Sequence, residues 1–172
     1  MSNATTGLKA GVVAGLLYGI IDGIFAYLGL TIFKSVVMAA LQKEAATESA
    51  LLHVTITAQT LYNGAVAVSL VVAIVVGIIG GLILGAIFGA LYNKIPGKSG
   101  PVKGLVFGFI LWILLNVLFG LPNIGTYNLT YYLFGIGGGI IAALVYGYLI
   151  GTLFGKWTVV PQKQEEELQT FP

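Results

Sequence analysis

The chain has 172 residues, of which 58% are hydrophobic and only 8% are charged, and its mean hydropathy is +0.98. A soluble domain carries about 25% charged residues, so too few charges are present here to cover a surface in water. The net charge of +2 argues against a nucleic-acid partner, and the absence of cysteine excludes disulfides, iron–sulfur clusters and cysteine nucleophiles. The composition predicts a protein whose principal partner is the lipid bilayer.

Four segments are long and apolar enough to cross a bilayer, which takes about 20 helical residues. We therefore predict an all-α integral membrane fold, a bundle of four transmembrane helices. The predicted spans are residues 8–32, 66–93, 102–121 and 131–155. The remaining segments are a short inner N-terminus, an outer insertion, an inner lysine-rich loop, an outer loop and an inner polar tail, at residues 1–7, 33–65, 94–101, 122–130 and 156–172.

The outer insertion is the longest connection. Its first half, residues 34–50, predicts an amphipathic helix, with Phe33, Val37 and Leu41 on one face. No turn separates the apolar stretch after it from the second span. Counting this stretch as a fifth span would also remove the excess of lysines on one side of the membrane. We predict instead that it extends the second helix outward or forms a half-buried hairpin.

The lysines orient the predicted spans. An inner N-terminus leaves only Lys34 and Lys43 on the outer side. The inner side then holds Lys9, Lys94, Lys98, Lys103, Lys156 and Lys163. Because lysine and arginine concentrate in cytoplasmic segments, we predict that both termini are cytoplasmic and that the membrane is the plasma membrane.

Glycines recur every fourth residue along each predicted span. Such rows let helix backbones approach closely, where dispersion replaces the absent hydrophobic effect. We predict that they pack the helices as glycine zippers; a glycine-lined permeation path is the alternative. The predicted packing glycines are Gly11, Gly15, Gly19, Gly23, Gly77, Gly81, Gly85, Gly89, Gly104, Gly108, Gly139, Gly147 and Gly151.

The glycine rows also indicate an internal repeat. KAGVVAGLLYG resembles VKGLVFGFILW when Gly11 is aligned with Gly104. GAIFGALYNK resembles GYLIGTLFGK when Gly85 is aligned with Gly147. The chain is thus predicted to consist of two helical hairpins in the same orientation, a parallel repeat about an axis normal to the membrane.

Two polar side chains within the predicted spans are candidates for function. Asp22 is the one ionisable side chain deep in a span, and an acid in that place is a functional candidate. Asp22 is predicted to be a proton site of a transporter, or else a carboxyl that hydrogen-bonds a neighbour such as Asn116 or Tyr18 or that lies near the outer water. Asn116 lies on the glycine row of the third span, so we expect its amide to face the bundle and bond across helices.

Other candidate sites are weaker. His53 is the single histidine, and its spacing from Glu48 does not place both side chains on one helical face, so we predict no metal site. Asn128 begins a glycosylation sequon in the predicted outer loop. The sequence contains none of the motifs of nucleotide binding, metalloproteases or serine hydrolases. We predict no cofactor and no enzymatic activity.

Three functions remain as hypotheses. The first is a non-catalytic small membrane subunit or scaffold that packs within a larger assembly, with other integral membrane proteins or copies of itself. The second is a small homo-oligomeric transporter or channel that uses the intramembrane Asp22. The third, an enzyme acting on lipid or quinone, has only Asp22, His53 and Glu48 to work with.

Overall fold

A computed structural model of the protein describes residues 3–169, and side chains up to residue 158. The first two residues of the predicted N-terminal segment and the last three of the predicted tail lie outside this range. The described residues form six α-helices and one π-helical segment, without a β-strand. The elements are α1 (Asn3–Ile32), α2 (Lys34–Leu52), α3 (Ala58–Leu91), α4 (Gly100–Trp112), the π segment (Ile113–Leu118), α5 (Pro122–Thr126) and α6 (Leu129–Gln169).

Four stretches of helix are long and apolar enough to cross a membrane. They are Asn3–Ile32, Ala58–Leu91, Gly100–Thr126 and Leu129–Thr158. The predicted all-helical fold with four helices long and apolar enough to cross a membrane is thereby confirmed. Each of these helices begins before its predicted span, because polar residues at a helix end cost little where the end emerges into water. The last one continues to Gln169, into the segment for which the sequence indicated only a polar tail.

The helices α1 and α6 form the centre of the bundle. One side of α1 packs along α3 and another along α6, while α4 packs on the far side of α6. The helices α3 and α4 meet through aromatic rings, with the centroids of Phe88 and Phe107 5.3 Å apart. The molecule therefore consists of two antiparallel helix pairs that are joined through α1 and α6.

Backbones touch at the glycines of each pair. A Cβ atom added at Gly15 would lie 2.8 Å from the Cα of Gly81, and one added at Gly11 would meet the carbonyl oxygen of Gly81. The second pair has the same kind of contact, since a Cβ at Gly104 would lie 2.8 Å from the Cα of Gly151. Atoms this close cannot coexist, so only a residue without a side chain fits these positions.

An aromatic cluster closes the bundle at the end where α3 connects to α4. The rings of Phe88 and Phe154 are fully buried and 5.5 Å apart between centroids, and the Tyr92 ring stacks 4.4 Å from that of Phe154. The Lys103 ammonium donates a 2.8 Å hydrogen bond to the Tyr92 carbonyl and lies 4.4 Å from the ring centroid. We call Phe88, Tyr92, Phe107 and Phe154 the aromatic cluster.

At the opposite end, which we call the α2 end, the predicted insertion is folded. Val37 and Leu41 of α2 are buried against Tyr62, whose hydroxyl donates a 3.4 Å hydrogen bond to the Leu30 carbonyl. The helix ends at Leu52, and the next residue, His53, has a left-handed φ of 53°.

Residues 53–57 then form a turn, and the Thr57 hydroxyl caps α3 by accepting from the Thr60 amide at 3.1 Å. Of the two predicted conformations, extension of the second helix describes residues 58–65. The sequence did not indicate the turn before them, because it contains neither glycine nor proline.

Candidate functional site

A cavity of about 340 Å³ lies near the α2 end, between α1, the π segment and α6. Its polar lining includes the Asp22 carboxyl and the amides of Asn116 and Asn123. Four aromatic side chains contribute to its walls, namely Phe25, Tyr131, Tyr132 and Phe134. We call this space the Asp22 cavity, and we take it as the candidate functional site because it joins the intramembrane acid to Asn116.

Asp22 enters the cavity because α1 turns its glycine row away from it. Gly19 and Gly23 face α3, so the side chain between them points toward α6 and the π segment. Tyr18 lies one helical turn earlier on the same face. Asp22 remains partly exposed, and it lies ten residues before the end of α1, which is about 15 Å at 1.5 Å per residue.

The third span does not cross as a regular α-helix. Over Ile113–Leu118 the backbone widens into a π-helix, and the Phe119 amide donates to the carbonyl five residues back, at Leu114, over 3.0 Å. Side chains secure the two ends of this segment against α6. The Tyr132 hydroxyl donates to the Val117 carbonyl at 2.8 Å, and the Trp112 indole donates to the Ile136 carbonyl at 3.1 Å. Single π turns inside α-helices occur frequently at functional sites.

The amide of Asn116 packs directly on the backbone of α6. A Cβ added at Gly139 would lie 2.6 Å from the Asn116 Cγ, so the bare glycine makes room for the amide. Asn116 thus packs on α6 while it contributes to the cavity wall.

A second cavity of about 150 Å³ lies between α3 and α4, and we call it the mid-bundle cavity. It is largely apolar, and Asn116 and Leu115 line it as well as the Asp22 cavity. The Tyr146 hydroxyl at its back donates to the Gly81 carbonyl at 3.4 Å. Asn116 therefore stands between a polar cavity toward the α2 end and an apolar one nearer the aromatic cluster.

The structure does not bring His53 to this site. Its side chain is exposed at the turn between α2 and α3, away from the lining of the Asp22 cavity. Across the described residues, no group of three or more histidine, aspartate or glutamate side chains is placed to hold a metal ion.

Asn128 has a structural role that the sequence analysis did not assign. Its side-chain oxygen accepts a 2.8 Å hydrogen bond from the Tyr131 amide, which caps the first turn of α6. An asparagine directly before an apolar helix is the usual signal for such a cap. The glycosylation prediction for Asn128 stays a prediction.

Sequence reasoning also missed several wall residues of the Asp22 cavity. Tyr132, Asn123 and the pair Phe25 and Phe134 were not singled out, although they lie in its lining. The centroids of the Phe25 and Phe134 rings are 5.9 Å apart, across the α1–α6 contact. Aromatic residues are common near membrane interfaces, so nothing in their sequence positions marked them as members of one site.

Four helices that are long and apolar enough to cross a membrane, three of which line a small polar cavity, define the class, a small polytopic helical membrane protein. The chain belongs to DUF6789, a family of unknown function, whose family model matches residues 2–165. No curated protein and no solved structure matches the chain. The family description names no activity.

Proposed function

We propose that this chain is a non-catalytic integral membrane subunit or scaffold that packs against other integral membrane proteins or copies of itself. The observation that carries the proposal is an open face of α3, on the side opposite its glycines. Its branched aliphatic side chains are between 43% and 56% exposed. They are Val68, Val72, Val75, Ile79 and Leu82.

This face has the features of a helix-packing surface. Its positions alternate steps of four and three residues, the 3.5-residue spacing of knobs-into-holes seams. Valine and isoleucine have few side-chain rotamers in a helix, so they lose little conformational entropy when a partner helix packs on them. Inside a bilayer, close packing of this kind is a main source of helix association.

We further propose that the glycine rows act as zippers and that the chain is a parallel repeat of two hairpins. The backbone contacts of Gly15 with Gly81 and of Gly104 with Gly151 support this, since each belongs to one antiparallel pair. The sequence similarity between the two halves supports common descent of the pairs. In this proposal, the glycines hold each hairpin together and leave the aliphatic face of α3 for partners.

The proposed orientation places both termini in the cytoplasm and the α2 end outside, with the plasma membrane as the site of residence. The lysine-rich loop between α3 and α4 supports it, because Lys94, Lys98 and Lys103 lie at one end of the bundle. Loops of this composition stay on the cytoplasmic side during insertion. The Asp22 cavity then lies in the outer half of the membrane.

The test of the assembly proposal is the mass and composition of the particle extracted from its native membrane in mild detergent. We expect either stoichiometric partner proteins or more than one copy of this chain. Val75→Trp on the open face of α3 should reduce the mass, because the larger side chain prevents close packing. Ile141→Trp on α6, which is 48% exposed in the same way, is the control and should leave the mass unchanged. A monomeric particle without partners would contradict the proposal.

A homo-oligomeric transporter that uses Asp22 is the second candidate, favoured by the asymmetry of the bundle. The Asp22 cavity is partly open, whereas the aromatic cluster fills the other end. A transporter that has one side open and the other closed has this arrangement. In proteoliposomes with a trapped pH-sensitive dye, Asp22→Asn should abolish proton flux without changing particle mass, and Glu48→Gln should leave the flux intact. Equal flux through the wild type and Asp22→Asn would eliminate this candidate.

A further inference from the structure

The Asp22 carboxyl has no cationic side chain beside it in its cavity. Asp22 is the one acidic residue of the lining, and none of the lining residues is basic. A carboxylate within a membrane-spanning helix is costly unless a proton, a hydrogen-bonding partner or a cation balances it. The cavity therefore offers a negative group that a positively charged ligand can reach.

The walls around this acid are aromatic. The rings of Phe25 and Phe134, which both line the cavity, have centroids 5.9 Å apart, and Phe33, outside the lining, packs behind them at 5.4 Å from Phe134. The Tyr131 ring lies 5.8 Å from that of Phe33. The faces of aromatic rings carry negative electrostatic potential and attract cations, above all alkylated ammonium groups that are easily stripped of water.

Taken together, the geometry points to a binding site for a small organic cation, an amine or quaternary ammonium compound, in the Asp22 cavity. The positive group lies between the Asp22 carboxylate and the rings of Phe25 and Phe134. The amides of Asn116 and Asn123 are available to a polar substituent of the same ligand. The volume of about 340 Å³ falls at the lower end of the range of about 300–1,000 Å³ for small-molecule pockets.

An inorganic metal ion fits this lining less well. Divalent ions take about six oxygen ligands, usually with several carboxylates, and the cavity has a single carboxylate. Aromatic walls supply no ligand atoms for such an ion, whereas they contribute directly to the binding of an ammonium group. The binding site goes beyond the assembly role, and it requires neither an oligomer nor flux across the membrane.

The test uses the full chain in lipid nanodiscs and three probes at matched ionic strength. Choline chloride is the cationic probe, its uncharged isostere 3,3-dimethylbutan-1-ol is the neutral probe, and sodium chloride is the inorganic probe. Isothermal titration should show binding of choline alone, and choline alone should raise the midpoint of thermal unfolding. Asp22→Asn should weaken choline binding at least tenfold, while Glu48→Gln, an acid outside the cavity, should leave it unchanged.

A second variant keeps the test decisive should Asp22→Asn fail to fold. Phe134→Leu retains an apolar side chain but removes a ring, so choline affinity should fall several-fold. Equal binding of choline and its neutral isostere would overturn the inference in favour of an apolar pocket. Displacement of choline by millimolar sodium would overturn it in favour of an inorganic cation site. Absence of choline binding to the wild type, or unchanged binding to Asp22→Asn, would refute it directly.

Discussion

At the scale of single residues, the contact between Gly139 and Asn116 determines where the cavity wall lies. Gly139→Ala places a Cβ against the Asn116 amide, whereas a Cβ at Gly137, two residues away, has nothing within 4 Å. Overpacking of this kind costs about 1–3 kcal/mol. We expect Gly139→Ala to lower the midpoint of thermal unfolding in detergent. Gly137→Ala should leave it unchanged or raise it, since alanine favours the helix by up to about 1 kcal/mol.

A single-residue titration probes the α2 end. Partial burial raises the pKa of the Tyr127 phenol above its usual value, and the nearby Glu44 carboxylate raises it further. Because the folded state favours the neutral phenol, its contribution to stability is full below the unfolded pKa and is lost as pH rises through the folded pKa.

Replacement of the carboxylate should shift this titration. We expect Glu44→Gln to lower the pKa of Tyr127, because a like charge that opposes ionisation is removed. The measurement is the alkaline absorbance change of tyrosinate, taken as the difference from Tyr127→Phe in the same background. Glu48→Gln is the matched control, and an identical titration in both variants would show that the Glu44 charge does not reach Tyr127.

At the scale of helices, two adjacent glycines of α3 test whether close packing requires a glycine, because only one of them contacts α1. A Cβ at Gly81 would lie 2.7 Å from the Cα of Gly15, whereas one at Gly80 has nothing within 4 Å. Gly81→Ala should therefore force α1 and α3 apart and lower the unfolding midpoint, at a cost of about 1–3 kcal/mol. Gly80→Ala should be tolerated. If both variants unfold alike, the glycine contacts do not hold this hairpin together.

The π segment gives a second prediction at this scale. The Tyr132 hydroxyl satisfies the Val117 carbonyl, which lies where the regular helical hydrogen bonds are interrupted. Tyr132→Phe should cost about 1 kcal/mol, since a net hydrogen bond is lost and the carbonyl is left without its side-chain donor. Tyr148→Phe on the same helix, where the ring is 52% exposed, is the control for removal of a hydroxyl. Loss of stability in both variants alike would argue against a special role of the π segment.

For the whole molecule, the proposed orientation is testable because the chain contains no cysteine. A single cysteine that replaces Glu48 or Lys98 then shows on which side of the membrane that end of the bundle lies, and no native cysteine has to be removed first. With the α2 end outside, Glu48→Cys should react with a membrane-impermeant maleimide on intact cells. Lys98→Cys should react only after permeabilisation. The reverse pattern would invert the topology and place the Asp22 cavity in the cytoplasmic half.

The sequence by itself determined the helical class and the number of membrane-crossing helices, because partitioning into lipid depends on the composition of each segment. It did not determine the register at which the paired helices pack. The sequence alignment matches Gly11 with Gly104 and Gly85 with Gly147, yet a Cβ at Gly104 meets the Gly147 carbonyl, whereas one at Gly11 meets that of Gly81. The two pairs thus differ by one helical turn from the register that the alignment implies.

Only the tertiary structure decided the candidate site. Asp22 and Asn116 are far apart in the chain, and they line one cavity because α1 and the π segment both pack on α6. The widened turn at Ile113–Leu118 carries no local signal, since five of its six residues are aliphatic like those of the regular helix around it and a single asparagine, Asn116, does not mark a wider turn. Local composition determines which residues enter the membrane. The distance between facing helices determines which side chains meet there, and that distance depends on every contact between the two helices.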